Sequence, residues 1–470
     1  MEKFFQLKKH GTNVRTEIMA GLTTFFAMVY ILMVNANMFA NPFGDGTNVL
    51  GVSYGAIYIA TAISAVIGTV LIGLLANLPL AQASGMGLNA FFVYTVCVGF
   101  GLTYANALVL VLLDGIVFIL LTVTGLRRRI FEAIPKAVRV AIPAGIGLFI
   151  AFLGLQNAKI IVPSSSTGVT LGSFNLLIPE SWATIMPMVV TIIALFVIAV
   201  LAHKNVRGAV LWGILCGAAL YYLLGLTVPG FYQNLGITME SPLAAFKAFG
   251  TEAFGKVFTE GFNFSAYTEA HGTANLILTI ATTALAFCMV DMFDTLGTLY
   301  GACARGDMLT KEGEVPNMDK AMLADAIATT TGAICGTSTV TTFVESSSGV
   351  AEGGRTGLTA VVTAVLFFIA MFLSPIAQLI PSCATAAALV YVGVLMIACV
   401  KDIDWRRLDE ALPAFLTMAI MPFAYNISYG IAFGLLSFVV LKACTGKAKE
   451  IKASTWVITL LFVAMLLLTH

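Results

Sequence analysis

Thr337-Ser-Thr-Val-Thr-Thr-Phe-Val-Glu-Ser-Ser-Ser-Gly349 is the stretch that decides the fold. It sits between strongly apolar runs and so reads at membrane depth, yet it consists largely of Ser and Thr and carries an acid, Glu345. Non-helical backbone is tolerated in lipid only where protein shields it or it lines a cavity. A second stretch, Leu80-Ala-Gln-Ala-Ser-Gly-Met-Gly-Leu-Asn89, breaks the same rule. Half-helices starting near Gly87 and Ser346 would aim unpaired N–H groups at whatever lies between the two stretches.

The chain of 470 residues around these stretches is 59% hydrophobic and 10% charged, against roughly 25% charged in a soluble domain. That excludes an ordinary water-soluble enzyme and leaves room for roughly 12 to 15 membrane spans. Apolar runs between Gly, Pro, Asn or charged breaks give fourteen. The first seven are residues 18–40, 55–77, 80–99, 105–126, 138–157, 181–202 and 208–226. The second seven are 275–300, 320–335, 338–354, 356–379, 384–400, 410–427 and 429–443. Both polar stretches are therefore third of seven.

Lys and Arg gather in cytoplasmic loops. With the N-terminus inside, all of the 25 Lys and Arg except Lys159, Lys247 and Lys256 fall on the cytoplasmic side, among them Arg127 to Arg129 and Arg406-Arg407. Lys3, Lys8, Lys9 and Arg15 precede a first run too long for a signal peptide. The polar stretch 227–274, with Glu240, Glu252, Glu260 and Glu269, is an external linker between halves. Seven spans per half force opposite orientations. Ile134-Pro135, Ala141 and Gly147 recur with identical offsets as Ile380-Pro381, Ala387 and Gly393, which supports an inverted repeat of the transporter kind. The expectation is an all-α polytopic membrane protein with repeats at 1–226 and 275–444, and a cytoplasmic tail at 445–470. The apolar end 456–468 is left open between a short span and an interfacial helix. Eight cysteines without a CxxC pair indicate neither disulfides nor zinc and read as small buried hydrophobes.

Six acids fall within the runs (Asp114, Asp291, Asp294, Asp325, Glu345 and Glu352) without any intramembrane Lys or Arg. Each must face a cavity, a partner or a proton. The bland readings are close helix packing by Gly, Ser and Thr and lone acids hydrogen-bonded to neighbouring helices for Asp114 and Asp325. Asp291 and Asp294 share nearly one helix face. None of His10, His203, His271 and His470 lies in a span, which argues against a histidine relay.

Residues 11–25 (Gly-Thr-Asn-Val-Arg-Thr-Glu-Ile-Met-Ala-Gly-Leu-Thr-Thr-Phe), 83–92 (Ala-Ser-Gly-Met-Gly-Leu-Asn-Ala-Phe-Phe), 291–298 (Asp-Met-Phe-Asp-Thr-Leu-Gly-Thr) and 345–357 (Glu-Ser-Ser-Ser-Gly-Val-Ala-Glu-Gly-Gly-Arg-Thr-Gly) resemble the AzgA-like branch of the nucleobase-ascorbate transporters, the guanine/hypoxanthine permeases. The resemblance runs from about residue 3 to 443. It implies a core of spans 1–4 and 8–11, a gate of spans 5–7 and 12–14, and short extended pieces in spans 3 and 10 framing a base. By motif position it implies Asp291 as the base-binding acid of span 8, Glu345 as its counterpart in span 10, Phe343 against the base and Asn89 as the polar residue of span 3. Ser346, Thr24 and Phe25 complete the candidate set, Phe25 as a second stacking surface. Glu-Ser-Ser-Ser-Gly has one residue more than the Glu/Gln-Asn-x-Gly of uracil and xanthine members, which fits the purine branch and leaves the alignment of Ser346 to Ser348 open.

An oxopurine offers ring N–H donors, to which carboxylates are apt receptors. The expectation is proton-coupled purine uptake across the cytoplasmic membrane, with no cofactor, no catalytic residue and no metal. A proton would neutralise the Asp291/Asp294 pair while Glu345 holds the base, and Asp294, Asp291 and Glu345 are the candidates for proton coupling. Expected partners are the nucleobase and the bilayer, with no nucleic acid and with a homodimer left open. The alternatives are an adenine, xanthine or uracil permease of the same fold, and an anion permease, which six acids disfavour. A membrane enzyme or a channel fits less well.

Overall fold

The computed structural model describes residues 2–125, 134–177, 182–234, 241–311 and 314–468. Arg127 to Arg129, Glu240 and His470, considered above, lie outside them.

Among the described residues nine helices are long and apolar enough to cross a membrane: Val14–Ala40, Tyr54–Ala76, Tyr104–Val123, Lys136–Asn157, Trp182–His203, Thr273–Arg305, Gly357–Ala377, Ser382–Asp402 and Ile427–Cys444. They are spans 1, 2, 4, 5, 6, 8, 11, 12 and 14. The other five fall short for visible reasons. Span 7 (Ala209–Gly225) and span 13 (Leu408–Phe423) have 17 and 16 residues. Span 9 (Met318–Cys335) is long enough but carries Asp319, Lys320 and Asp325. Spans 3 and 10 are broken by strands.

Four short strands occur among the described residues: β1 (Gln82–Ser84), β2 (Ile161–Ser164), β3 (Gly168–Leu171) and β4 (Val340–Thr342). β2 and β3 form a hairpin after span 5. β1 and β4 are fully buried and pair antiparallel, Gln82 with Thr342, Ala83 with Thr341 and Ser84 with Val340. Two flanking bonds extend the ladder, Gly85 N–H to the Thr339 carbonyl (3.0 Å) and Phe343 N–H to the Ala81 carbonyl (3.0 Å). Each broken span thus satisfies the other's backbone, which is how an interruption survives at membrane depth. β-Branched Thr and Val suit the extended piece. Helices restart at Met86 and at Ser346.

The repeat glycines meet. A Cβ on Gly147 would lie 2.9 Å from the Gly393 carbonyl oxygen, and one on Gly393 would strike the Gly147 carbonyl. Corresponding residues of two repeats touch reciprocally only where a pseudo-two-fold axis passes between them. Span 12 packs on spans 5, 6 and 7, and span 13 on spans 5 and 14. Span 9 packs on spans 2 and 4, span 11 on spans 1 and 2, and span 8 on span 4.

Several readings change. Span 1 begins at Val14, which brings Glu17 inside it, fully buried. Its carboxylate accepts from the backbone N–H of Arg355 (2.9 Å), Thr356 (3.3 Å) and Thr359 (3.2 Å) and from the Thr359 hydroxyl (2.6 Å). An anion at the amino end of span 11 stabilises those unsatisfied donors. Glu352, expected as an unpaired acid in span 10, lies one residue beyond the helix Ser346–Ala351 and accepts bidentately from Nε and Nη2 of Arg207. The loop before span 7 supplies this partner, which span counting could not reveal. Residues 241–271 are not a bare linker but a run of short helices. Phe249 and Ala253 pack against Ala56 and Ala60 of span 2, and Glu252 accepts from the Ser53 N–H at 2.8 Å. The terminal segment is a helix, Ala453–Leu468, that packs on spans 8 and 14 through buried Thr455, Thr459, Phe462 and Met465. Cys216 and Cys444 are exposed rather than buried.

Candidate functional site

Where β4 leaves the strand pair, the chain runs directly into Phe343, Val344 and Glu345. These residues, with Gly85, Met86 and Gly87 from the matching break in span 3, Asp294 from span 8 and Val392, Leu395 and Met396 from span 12, line a cleft of about 110 Å³. One liquid water occupies about 30 Å³, so the cleft has room for a small flat molecule. Gly85 keeps its floor low. A Cβ there would sit 2.5 Å from Thr341 Cγ2 and 3.8 Å from Asp294 Oδ2. The cleft continues past Asp294 toward Ile142, Pro143 and Ile146 of span 5.

Two carboxylates face this space. Glu345 is held by the Tyr30 hydroxyl, which donates to Oε1 at 2.6 Å. Tyr30 is fully buried beside the discontinuity in span 1, whose helices end at Met28 and restart at Tyr30. Asp294 is half-buried, and no donor among the described residues meets its carboxylate. Phe343 offers a ring against the space and is itself nearly covered. An apolar wall, one ring and two carboxylates lining one cleft form a receptor for a planar molecule that presents N–H groups.

Other sequence candidates lie elsewhere. Asp291, placed by motif as the base-facing acid of span 8, does not line the cleft. Three residues along a helix turn a side chain by about 60°, and the structure presents Asp294 to the cleft and Asp291 to the interior, where Thr329 donates to its Oδ2 at 3.3 Å and Oδ1 has no partner among the described residues. Asn89 is buried behind the strands and accepts from Ser84 (2.7 Å) and from Ser338. Ser346 accepts from the Ala81 N–H at 3.0 Å and so ties the span 10 helix to the span 3 break. Thr24 is buried against Gly349. Phe25 packs edge-on against Phe367 and Phe26 rather than over the cleft.

A second layer hangs on β4. Thr339 donates to Asp114 Oδ2 (3.2 Å) and Thr342 to Asp325 Oδ1 (3.2 Å), while Thr329 bridges the Val340 carbonyl (3.0 Å) and Asp291. Asp325 also accepts from Gln82 Nε2 (2.9 Å) and Thr295 (2.9 Å). Three buried acids are thus attached to the strand that carries Phe343 and Glu345. Among the described residues no group of three or more His, Cys, Asp or Glu is arranged to hold a metal ion. Toward the face opposite the N-terminus, Tyr94 of span 3 packs edge-on against Phe149 of span 5 and against Tyr425, which donates to Gln156 Oε1 at 2.9 Å.

Sequence reasoning missed Tyr30, because an aromatic within an apolar run carries no signal of its own. It also missed Gln82, although that amide stands at membrane depth in the stretch quoted above.

Residues 15–433 match the family model described as the Permease family. The chain belongs to that family. It is 38% identical to guanine/hypoxanthine permease PbuO of Bacillus subtilis, over 97% of this chain and 98% of the relative. It is 37% identical to adenine permease AdeP of Escherichia coli, over 98% and 95%. The resemblance to nucleobase-ascorbate transporters is thereby membership, and this permease is a multi-pass membrane transporter rather than an enzyme. The transmembrane domain of the cyanobacterial bicarbonate transporter BicA superposes with a TM-score of 0.57 at 15% identity, covering 96% of the permease and 97% of that chain. Likeness at that identity speaks for the fold alone, and the fold is seven plus seven inverted spans.

Proposed function

We propose that this permease imports hypoxanthine and guanine with protons across the cytoplasmic membrane, its N-terminus inside. The observation that carries the reading is the pair of carboxylates, Asp294 and Glu345, facing one cleft beside Phe343. Guanine and hypoxanthine present a ring N–H, and guanine adds an adjacent amine, so one carboxylate accepts from both. Adenine presents an acceptor at that ring position and would set a lone pair against a carboxylate. Relatives of both names are similar to this chain, so this chemistry, not identity, favours the oxopurines.

In this reading Glu345, oriented by Tyr30, and Asp294 bind the base, and Phe343 stacks on it. The buried Asp114, Asp291 and Asp325 hold the coupling proton, because three anions attached to one strand in low dielectric repel one another unless protonated. Spans 1–4 and 8–11 move as a core against a gate of spans 5–7 and 12–14, since the cleft lies between Gly85 to Gly87 on one side and span 12 on the other. Uptake of labelled hypoxanthine, guanine, adenine, xanthine and uracil, in cells lacking their own permeases and with or without a protonophore, tests this. Protonophore-sensitive uptake of the oxopurines is expected. Uptake of none refutes the substrate, and sodium-dependent uptake insensitive to the protonophore refutes the coupling.

A further inference from the structure

A cavity of about 640 Å³ lies away from the transport cleft, with which it shares no lining residue, on the face that carries the N-terminus. Its walls are the N-terminal helix Glu2–Phe5 and the turn after it, the end of span 2, the turn after span 8, the start of span 9 and Arg355. Lys9, His10, Lys320 and Arg355 line it against a single acid, Asp307. None of the four basic groups forms an ion pair among the described residues. Arg355 Nη1 is fixed on the carbonyls of Val350 (2.6 Å) and Gly354 (2.8 Å), which leaves Nε and Nη2 without a described partner.

A second observation converges on the same place. Of the seven non-glycine residues with positive φ among those described, four line this cavity: Gln6 (54°), Asn77 (53°), Asp307 (51°) and Asn317 (53°). Left-handed backbone is uncommon outside glycine, Asn and Asp adopting it most readily, and such positions collect where a ligand is clamped. Side-chain bonds lock the walls in that shape, Asn77 Nδ2 to the Phe5 carbonyl (3.2 Å) and Asn317 Nδ2 to the Ala76 carbonyl (3.0 Å). Exposed Phe4, Leu74 and Leu75 form an apolar lip beside it.

We propose that this cavity binds a phosphate-bearing anion. Lysine and arginine donors converging on a pre-shaped concavity recognise phosphate oxygens by charge-assisted hydrogen bonds. The same chemistry serves a soluble phosphorylated metabolite or the headgroup of an acidic phospholipid whose chains lie along the apolar lip.

The test uses the full chain purified in detergent. Guanosine 5′-monophosphate and pyrophosphate are titrated by calorimetry, and retention of phosphatidic acid against phosphatidylcholine is measured by native mass spectrometry. Both are repeated on K9Q/K320Q, whose base uptake and thermal unfolding report that it folds. At least one arm binds, and the double variant weakens it by about tenfold or more. Binding in the soluble arm identifies a free metabolite, and selective retention of phosphatidic acid alone identifies the headgroup. Absence of binding in both arms, or equal binding by K9Q/K320Q, overturns the proposal.

Discussion

Tyr30→Phe is the sharpest probe of the cleft. The substitution keeps the buried ring and removes one oxygen, the donor that meets Glu345 Oε1 at 2.6 Å, so no cavity opens and packing is preserved. A hydrogen bond to a charged group contributes about 1.5–3 kcal/mol. Tyr30 is fully buried, and a lost hydroxyl there leaves a gap smaller than a water molecule. At about 1.4 kcal/mol per factor of ten, the carboxylate's base-ready orientation should fall in population by about 10- to 150-fold. The expected result is a KM for hypoxanthine raised about tenfold or more, with the protein present in the membrane at the normal level. Uptake kinetics in cells lacking other purine permeases, with the amount of protein quantified in isolated membranes, give both numbers. A KM within about twofold of the parent, alongside a Glu345→Gln variant that has lost uptake, would refute the claim that Tyr30 positions Glu345.

Asp294→Asn should abolish competition by guanine for hypoxanthine uptake, whereas Asp291→Asn should preserve base competition and remove the protonophore sensitivity. The reverse pattern would exchange their roles. Glu17→Gln turns an amide N–H toward backbone donors and should lower stability by about 2–4 kcal/mol in detergent unfolding; a change below about 0.5 kcal/mol would show that Glu17 does not cap span 11. Gly85→Ala should block uptake while leaving the protein in the membrane, since its Cβ meets Thr341 Cγ2 at 2.5 Å, an overpacking that costs about 1–3 kcal/mol. Arg207→Glu should slow uptake and the pair Arg207→Glu with Glu352→Arg should restore it, while stability shifts by about 1 kcal/mol or less because the pair is partly exposed.

Much of this was legible in the chain. The composition of 337–349 and 80–89 announced two interruptions at matching places, and both are strands that pair with each other. Gly147 and Gly393, noticed only as equal offsets, turned out to touch. What could not be read was direction. Asp291 and Asp294 differ by less than a fifth of a helical turn, so hydropathy and motif treat them alike, and only the position of span 12 separates them. Glu352 looked like an unpaired intramembrane acid until the loop before span 7 brought Arg207 to it. Glu17 looked like a loop residue until the first turn of span 1 was seen to sink beneath the start of span 11.

Hydropathy and charge along the chain suffice to require a polytopic membrane protein with an inverted repeat, because the cost of placing polar backbone and charge in hydrocarbon is a local property summed along the chain. They also mark where that rule is broken. Tertiary structure alone decided which broken pieces satisfy one another, which acid faces the cleft and which donor holds it. Those are contacts between residues hundreds of positions apart, Tyr30 with Glu345 and Gln82 with Thr342. Their energy depends on distance in space, which linear spacing does not encode.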